Sequence, residues 1–473
     1  MELSMLERWR NWVMHRFGLD LFKQTVLDRR TPKGRWYYGD GATLALLLGV
    51  QVATGAVLML TYSPSVDTAY QSVQHITQQQ TLGGFIRALH YWSAGLMVVM
   101  LFLHLFRQLL LGGYKSPREG TWLVGVGLFF GVLLMAFTGY TLRWDERAIT
   151  ALTVSLHMLA NVPVIGEWLV VLVQGGPEVG AQTLTRVYAV HVFLTPLFLL
   201  ALVGWHLYLV IHHGVTTNAE RGKPVRSVEE QRKLYDEEKK DETLGEQFHP
   251  GTTFRSGLFG AVVFFIVLGL AVFLGPQALE PEASRVGRSF PVEEWWFWWY
   301  SALIALLPGW LAPTFVVLFP LALLAALVAL PFVDRSPYRG IRKRPVMAGV
   351  VVVSVVGLVW LSALRIASPW TGWPQPAPPA VPAGVTLPAE AEQGRQLFAA
   401  YGCNSCHAVA DDGPSVGPDL AQISPAYSRD EYAQWIRQPA EDVAMPAFED
   451  RLSEEELARI IDYLMHAQTF PRR

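Results

Sequence analysis

The chain has 473 residues, of which 51% are hydrophobic and 16% are charged, and its formal net charge is −2 at pH 7. This composition is too apolar for an ordinary soluble protein and is typical of a polytopic membrane protein. The near-neutral charge balance gives no indication of nucleic-acid binding. We therefore expect membrane lipid, and no nucleic acid, to surround most of the chain.

The predicted elements are helices throughout. Residues 1–35 space apolar side chains at helical intervals among arginines, which predicts an amphipathic helix in the membrane interface. Seven apolar segments follow, each near the roughly 20 residues that cross a bilayer: 41–62, 84–111, 121–142, 186–211, 256–275, 311–333 and 346–366. The apolar stretch 155–174 is interrupted by Pro163 and Gly166, which predicts a re-entrant or surface pair of helices.

Lysine and arginine concentrate in the N-terminal segment and after the second, fourth and sixth apolar segments, whereas residues 63–83 contain neither. The positive-inside rule therefore predicts a prokaryotic cell-membrane protein with a cytoplasmic N-terminus. Seven spans then place the C-terminus on the outer, periplasmic side. A Pro/Ala-rich linker precedes a charged, helix-forming region there.

The predicted fold is an all-α polytopic membrane bundle with six regions. They are an interfacial helix (1–35), a four-helix domain (36–215), a cytoplasmic linker (216–250), a three-helix domain (251–368), the Pro/Ala-rich linker (369–388) and a small helical domain (389–473).

Two apolar segments carry paired histidines. His90 and His104 are fourteen residues apart in the second segment, and His191 and His206 are fifteen apart in the fourth. Fourteen residues rise about 21 Å and return to nearly the same helix face. A single intramembrane histidine can be a buried polar residue bonded to a neighbouring helix. Four at matched spacing on parallel spans instead predict two non-covalent, bis-histidine haems b, with His90 and His191 at the outer one.

Glycines and arginines accompany these histidines. The glycines pair at fourteen-residue spacing in the first and third segments, where they could let a haem approach: Gly41, Gly55, Gly125 and Gly139. Three arginines stand within a few residues of the histidines: Arg87, Arg107 and Arg186. They could pair with haem propionates, or they could be ordinary interfacial side chains that extend towards water.

The only two cysteines are Cys403 and Cys406, in the stretch "CNSCH". A CxxC pair can be redox-active or bind zinc, but CxxC followed directly by histidine is the attachment pattern of a c-type haem. The sequence therefore predicts one covalent haem c with His407 as an axial ligand. Its periplasmic position agrees with the orientation derived from the basic residues.

Several motifs resemble those of cytochrome b from quinol-oxidising cytochrome bc complexes, in the form split into a four-helix cytochrome b and a three-helix subunit. "VQVATG", "GGYKSPREGTW", "TGYTLRWDE", "NVPVIGEWL" and "TLTRVYAVHVFLTPL" carry the first part, and "VEEWWFWWYSALIALLP" and "RKRPVMAGVVVV" the second. Residues 389–470 resemble a class I cytochrome c. Met445, in "MPAF", resembles its second axial ligand, whereas Met465 suits packing and His466 is a remote alternative.

The resemblance implies a quinol–cytochrome c reductase subunit with bifurcated quinol oxidation. One electron goes through a separate Rieske iron–sulfur subunit to the haem c, and the other crosses both haems b to an inner quinone site, which generates a proton gradient. It further implies exchange with the quinone pool, a homodimer, and a soluble or membrane-bound cytochrome or a terminal oxidase as acceptor. The alternatives are a non-bifurcating di-haem anchor between a periplasmic redox partner and the quinone pool, and a haem-bearing assembly or sensor protein.

The resemblance also implies site residues. Glu294 takes the position of the glutamate in the family's Pro-Glu-Trp-Tyr motif, which accepts a quinol proton, and Glu293 beside it is the alternative. This chain has Glu293 and Trp296 in place of the motif's proline and tyrosine. Tyr140 matches a tyrosine that faces the same pocket. Arg143 stands where the family usually has proline, and Tyr91 where the split form often has arginine.

At the inner side, Gly39 stands where the photosynthetic form has the cysteine that links a third haem, so we expect no covalent haem there. Loose candidates for the inner quinone site are Asp40, His212 and His213.

Overall fold

The computed structural model describes residues 4–470 except 161, 177–178, 281, 283–293, 309–310, 368–377, 383, 411, 413–416, 424–426, 441–444, 446 and 450–451. These residues are mostly helical, with almost no strands, which confirms the all-α prediction. Two short strands, Arg30–Pro32 and Gly245–Gln247, pair antiparallel with Thr31 opposite Glu246. They tie the N-terminal segment to the linker that precedes the fifth span.

Seven helices among the described residues are long and apolar enough to cross a membrane, as predicted. They are Trp36–Met59, Gly83–Leu111, Glu119–Thr141, Ala181–His213, Phe248–Phe273, Thr314–Val333 and Pro345–Ile366. The first, fourth and fifth begin earlier than the apolar pattern predicted. In the fourth, the first turns are amphipathic rather than uniformly apolar, and Leu184 and Val187 bury their side chains against the protein.

The first four spans form the bundle that positions the histidines. The first packs against the second and the third against the fourth, while the fifth lies against both the first and the second. Buried apolar side chains fill the middle of this bundle: Leu47, Met97, Leu101, Phe129 and Leu199. Large apolar side chains also stay exposed on the outside of the spans, for example Phe193, Phe265 and Val353. Helices that are apolar all round suit a lipid environment.

Helices outside the bundle cover its ends. Met5–Arg16 starts with a capping box between Ser4 and Glu7 and buries none of its residues, so it has the form predicted for an interfacial helix. The stretch after the third span forms two helices, Glu146–Ala160 and Gly166–Gln174, as the break at Pro163 predicted. Further helices are Ala69–Gln78, Val228–Lys240 and Trp298–Ala305.

Buried ion pairs join the four-helix part to the three-helix part. Glu220 in the linker is fully buried and lies 2.9 Å from Arg118, in the loop after the second span, and 3.3 Å from Arg339, in the loop after the sixth. Asp334 lies 2.7 Å from Lys115 in a second such contact between the same two loops. The basic loops predicted to be cytoplasmic therefore meet at one end of the molecule.

The C-terminal domain is built from Ala389–Ala400, Arg429–Arg437 and Glu454–Ala467. Its first and last helices pack closely because Gly394 has no side chain to keep it from the backbone of Arg459. Phe398 and Tyr463 meet edge-to-face at this crossing, with ring centroids 5.6 Å apart. The crossing supports the turn Cys403–Ser405 that carries the cysteines.

Candidate haem and quinol sites

The outer histidines each stand against a glycine of a neighbouring span. A Cβ atom on Gly55 would lie 3.2 Å from Cε1 of His90, and one on Gly139 would lie 2.6 Å from Cε1 of His191. The second contact is too short for any real side chain. Glycine is therefore required at position 139 by the imidazole packed against it.

The inner histidines repeat this arrangement. A Cβ atom on Gly41 would lie 3.4 Å from Cε1 of His104, and one on Gly125 would lie 3.3 Å from Cε1 of His206. Each of the four glycines thus lies against the imidazole of a predicted ligand. That they also let a haem approach the backbone stays a prediction.

A π-helical turn explains why the second histidine pair is fifteen residues apart. His191 lies in the turn Val190–Leu194, where the backbone N–H of Thr195 donates to the carbonyl of Val190 five residues earlier. A π turn inserts one extra residue into an α-helix. Fifteen residues of the fourth span therefore match fourteen of the second, and His191 and His206 stay level with His90 and His104.

Threonines hold the outer imidazoles. Thr54 Oγ1 lies 2.8 Å from Nδ1 of His90, and Thr138 Oγ1 lies 3.0 Å from Nδ1 of His191. Both hydroxyls donate to carbonyls in their own helices, so each oxygen accepts from Nδ1–H and leaves Nε2 available to an iron atom. The residues thus fit a bis-histidine haem. Sequence reasoning missed these threonines, although a Thr-Gly pair at 54–55 and again at 138–139 could have found them.

A large cavity opens between the inner histidines. Its volume is about 840 Å³, and its lining includes His104, His206, Gly41 and Gly125 among mostly apolar side chains. This space and these imidazoles fit the inner haem b.

The cavity also extends towards the N-terminal segment and the linker, where it reaches Arg29, Tyr38 and Thr216. Arg29 Nε and Thr216 Oγ1 are buried there without a hydrogen-bond partner in the described part of the chain. None of the three loose candidates for the inner quinone site, Asp40 and the two histidines 212–213, lines the cavity. His212 is exposed instead and stacks on Tyr208.

Gly39 packs tightly against the fifth span. A Cβ atom there would lie 3.1 Å from the Cβ of Phe259 and 3.1 Å from the Cα of Ser256. A side chain at this position would require its neighbours to give way by a few tenths of an ångström. That no haem is linked here stays a prediction.

The three arginines all have protein partners. Arg107 forms a bidentate ion pair with Asp40, with N–O distances of 2.6 and 2.7 Å. Arg87 donates to Thr77 and to the carbonyl of Gln277, and Arg186 donates to backbone carbonyls at the end of the helix Gly166–Gln174. These contacts explain the arginines without propionates, and pairing with propionates stays a prediction.

Tyr91 and Arg143, two of the departures from the family pattern, meet at Glu294. This carboxylate is 4% exposed. The hydroxyl of Tyr91 donates to its Oε2 at 3.0 Å, and Nη1 of Arg143 lies 3.3 Å from its Oε1. Tyr140 lies alongside, with its ring centroid 5.5 Å from Cζ of Arg143. Arg143 thus places a positive charge beside Glu294, on the oxygen that Tyr91 does not bind.

Burial raises the pKa of Glu294 above its usual value, and Arg143 opposes part of that rise. A carboxylate with a raised pKa is suited to accept and release protons near neutral pH. Trp296 stands beside it, with its indole Nε1–H buried and without an acceptor in the described residues. Glu293, the alternative proton acceptor, lies outside the described residues.

The cytochrome c motif is arranged for iron. His407 donates from Nδ1 to the carbonyl of Pro418 at 2.9 Å, and burial lowers its pKa, so a neutral imidazole presents Nε2. Burial raises the pKa of Cys403 to about 12.

The methionines near the motif differ in setting. Met445 is half-buried against the domain core, and Met465 packs against the same core from the last helix. His466 donates to the carbonyl of Asp462 in its own helix. This bond occupies Nδ1 but leaves Nε2 open, so the choice of Met445 as the second ligand stays a prediction from the resemblance.

Comparisons with known proteins agree with this geometry. A family model described as "Cytochrome b/b6/petB" matches residues 28–214, and one described as "Cytochrome C oxidase, cbb3-type, subunit III" matches residues 389–464. A cytochrome b of Allochromatium vinosum is 32% identical over 74% of this chain and 87% of that protein. A menaquinol:cytochrome c reductase cytochrome b subunit of Bacillus subtilis is 35% identical over 45% of this chain and 99% of that protein.

A solved structure described as "Hyperthermophilic respiratory Complex III" is also similar. Its chain is 28% identical, the TM-score is 0.64, and the match covers 75% of this chain and 91% of that one. The relatives, the seven spans and the paired histidines lead to one conclusion. This chain belongs to the cytochrome b family and carries a cytochrome c domain after its seventh span, so that haem b and haem c are its cofactors.

Proposed function

We propose that the chain is the cytochrome b and c subunit of a proton-translocating quinol:cytochrome c oxidoreductase. Two haems b, each bound by two histidines, and one haem c with histidine and methionine ligands would supply one-electron transfer when bound. The names of the relatives in Bacillus subtilis and in the hyperthermophilic complex support this assignment. The expected partners are quinone, a Rieske subunit, a second copy of the chain, and a cytochrome or terminal oxidase as acceptor.

The observation that carries the proposal is the setting of Glu294. It is a buried carboxylate at the end of the bundle where His90 and His191 lie, and Tyr91, Arg143 and burial control its charge. Quinol oxidation releases protons, and a carboxylate in this position accepts one. We place this end on the periplasmic side because the basic loops gather at the opposite end.

The inner quinone would bind in the cavity beside His104 and His206. Its polar end contains Arg29 Nε and Thr216 Oγ1, two buried groups that have no partner among the described residues. Arg29 also lies over the ring of Phe248, 4.5 Å from the centroid. A quinone oxygen would satisfy these donors, and the surrounding apolar wall would hold the ring.

The test is quinol:cytochrome c reductase activity of the purified complex, with and without an inhibitor of the outer site. Glu294→Gln should lower the rate while both haem b spectra stay intact. Glu280→Gln is the matched control, because Glu280 lies on the same face in a partly exposed ion pair with Arg147. We expect this control to turn over at nearly the original rate.

Three results would count against the proposal. They are turnover insensitive to the inhibitor, a purified complex without a Rieske subunit, and an unchanged rate in Glu294→Gln. The first two would favour a non-bifurcating di-haem anchor. The third would move the proton acceptor to another group, with Glu293 the next to test.

A further inference from the structure

The four predicted haem ligands differ in what faces their Nδ1 atoms. Thr54 and Thr138 face the Nδ1 atoms of the two outer histidines. Each threonine directly precedes the glycine that packs against the same imidazole. The corresponding residue in the inner half of the first span is Asp40, which directly precedes Gly41. Its Oδ1 lies 3.2 Å from Nδ1 of His104.

Asp40 is a buried and firmly held carboxylate. It is 4% exposed, and the backbone N–H of Gly41 donates to its Oδ1 at 2.6 Å. Arg107, one turn after His104 on the second span, binds both carboxylate oxygens. Aspartate, arginine and histidine therefore form one cluster at the edge of the inner cavity. Among the described residues, no carboxylate faces any of the other three ligands.

The contact between Asp40 and His104 is one of charge, because Nδ1 of His104 has no aligned hydrogen bond among the described residues. A negative charge next to an iron-ligating imidazole makes it a stronger electron donor. A stronger donor stabilises ferric over ferrous iron, which lowers the reduction potential. A guanidinium bound to the same carboxylate withdraws part of that charge. Asp40 and Arg107 thus act on His104 in opposite directions.

We propose that Asp40 is a positioning residue that lowers the reduction potential of the inner haem b, and that Arg107 limits this effect. The proposal rests on the haem ligation put forward above and concerns this haem alone. It also gives Arg107 a different task from the propionate contact expected from sequence.

The test is a redox titration of both haems b in the purified complex, followed by their absorption spectra, with the outer haem as internal reference. Asp40→Asn should raise the inner potential so that the ferrous-to-ferric ratio at a fixed potential increases about tenfold, which is about 59 mV for one electron. Arg107→Gln should lower it. Thr54→Val, at the corresponding place beside His90, should shift only the outer haem.

An unchanged inner potential in Asp40→Asn, or an equal shift of both haems, would overturn the proposal. If Asp40→Asn lost the inner haem, Arg107→Gln would decide, because it keeps the carboxylate. A lowered potential would then support the proposal, and an unchanged or raised potential would refute it. A haem analysis of the unsubstituted chain that lacks two haems b per haem c would instead show that the proposed ligation fails.

Discussion

Replacing Arg143 with leucine tests whether this arginine controls the proton acceptor of the outer site. Burial raises the pKa of Glu294, and the guanidinium of Arg143 holds that rise back. Without the arginine, the pKa of Glu294 should rise further. Because the base must be deprotonated to accept a proton from quinol, the acid limb of the pH–rate profile should move to higher pH.

The size of this shift follows from the contact. Charges 3.3 Å apart in an environment of effective dielectric constant near 20 attract by about 5 kcal/mol, which is a ceiling. The guanidinium of Arg143 is shared with Asp145 and Gln277, which reduces the part that acts on Glu294. A neighbouring opposite charge commonly shifts a carboxyl pKa by about 1–3 units. We expect the acid limb to move by a similar amount, about 1–3 pH units.

The assay is quinol:cytochrome c reductase activity of the purified complex between pH 5 and pH 9, a range of about four units centred on neutral pH. Arg147→Leu is the control, because Arg147 lies on the same face but pairs with Glu280. We expect its acid limb to move far less. An acid limb at the same pH in Arg143→Leu, with the haem spectra intact, would refute a role for Arg143 in controlling Glu294.

Three further substitutions test the haem sites and the buried ion pairs between the four-helix part and the three-helix part. Gly139→Ala should remove the outer haem b from the absorption spectrum, because its Cβ would lie 2.6 Å from an imidazole, whereas Gly49→Ala in open space should keep both haems. Met445→Leu should lower the haem c potential without detaching the haem, since a thioether ligand raises the potential and the cysteines remain. Glu220→Gln should destabilise the chain in a detergent melting experiment by about 3–5 kcal/mol, because it leaves two buried arginines without their carboxylate. Loss of neither haem in Gly139→Ala, an unaltered haem c potential, or an unaltered melting curve would contradict the respective prediction.

Much of the fold could be predicted because a bilayer imposes simple rules. Each span needs about 20 apolar residues, and all seven were recognised from hydropathy. The spacing of the histidines predicted the haem sites in the same way. In an α-helix, the number of residues between two side chains fixes their separation along the axis and their angle around it. The amphipathic start of the fourth span was missed because its first turns pack on protein, so they need only one apolar face.

The details of the candidate sites depend on contacts between distant segments. The sequence suggested that Arg143 and Tyr91 were isolated departures from a family pattern, and only contacts between distant segments bring both to Glu294. Asp40 was assigned loosely to the quinone site for the same reason. Its ion pair with Arg107 joins residues 67 positions apart.

The sequence by itself determined the seven spans, the two levels of histidines and the cytochrome c motif, because each is a local pattern read along one segment. Only the tertiary structure decided what each imidazole touches: a glycine beside every ring, threonines at the outer Nδ1 atoms and a carboxylate near one inner Nδ1. Such contacts form across helices whose relative rotation depends on packing of the whole bundle. They set the charge around each predicted ligand, which no single segment encodes.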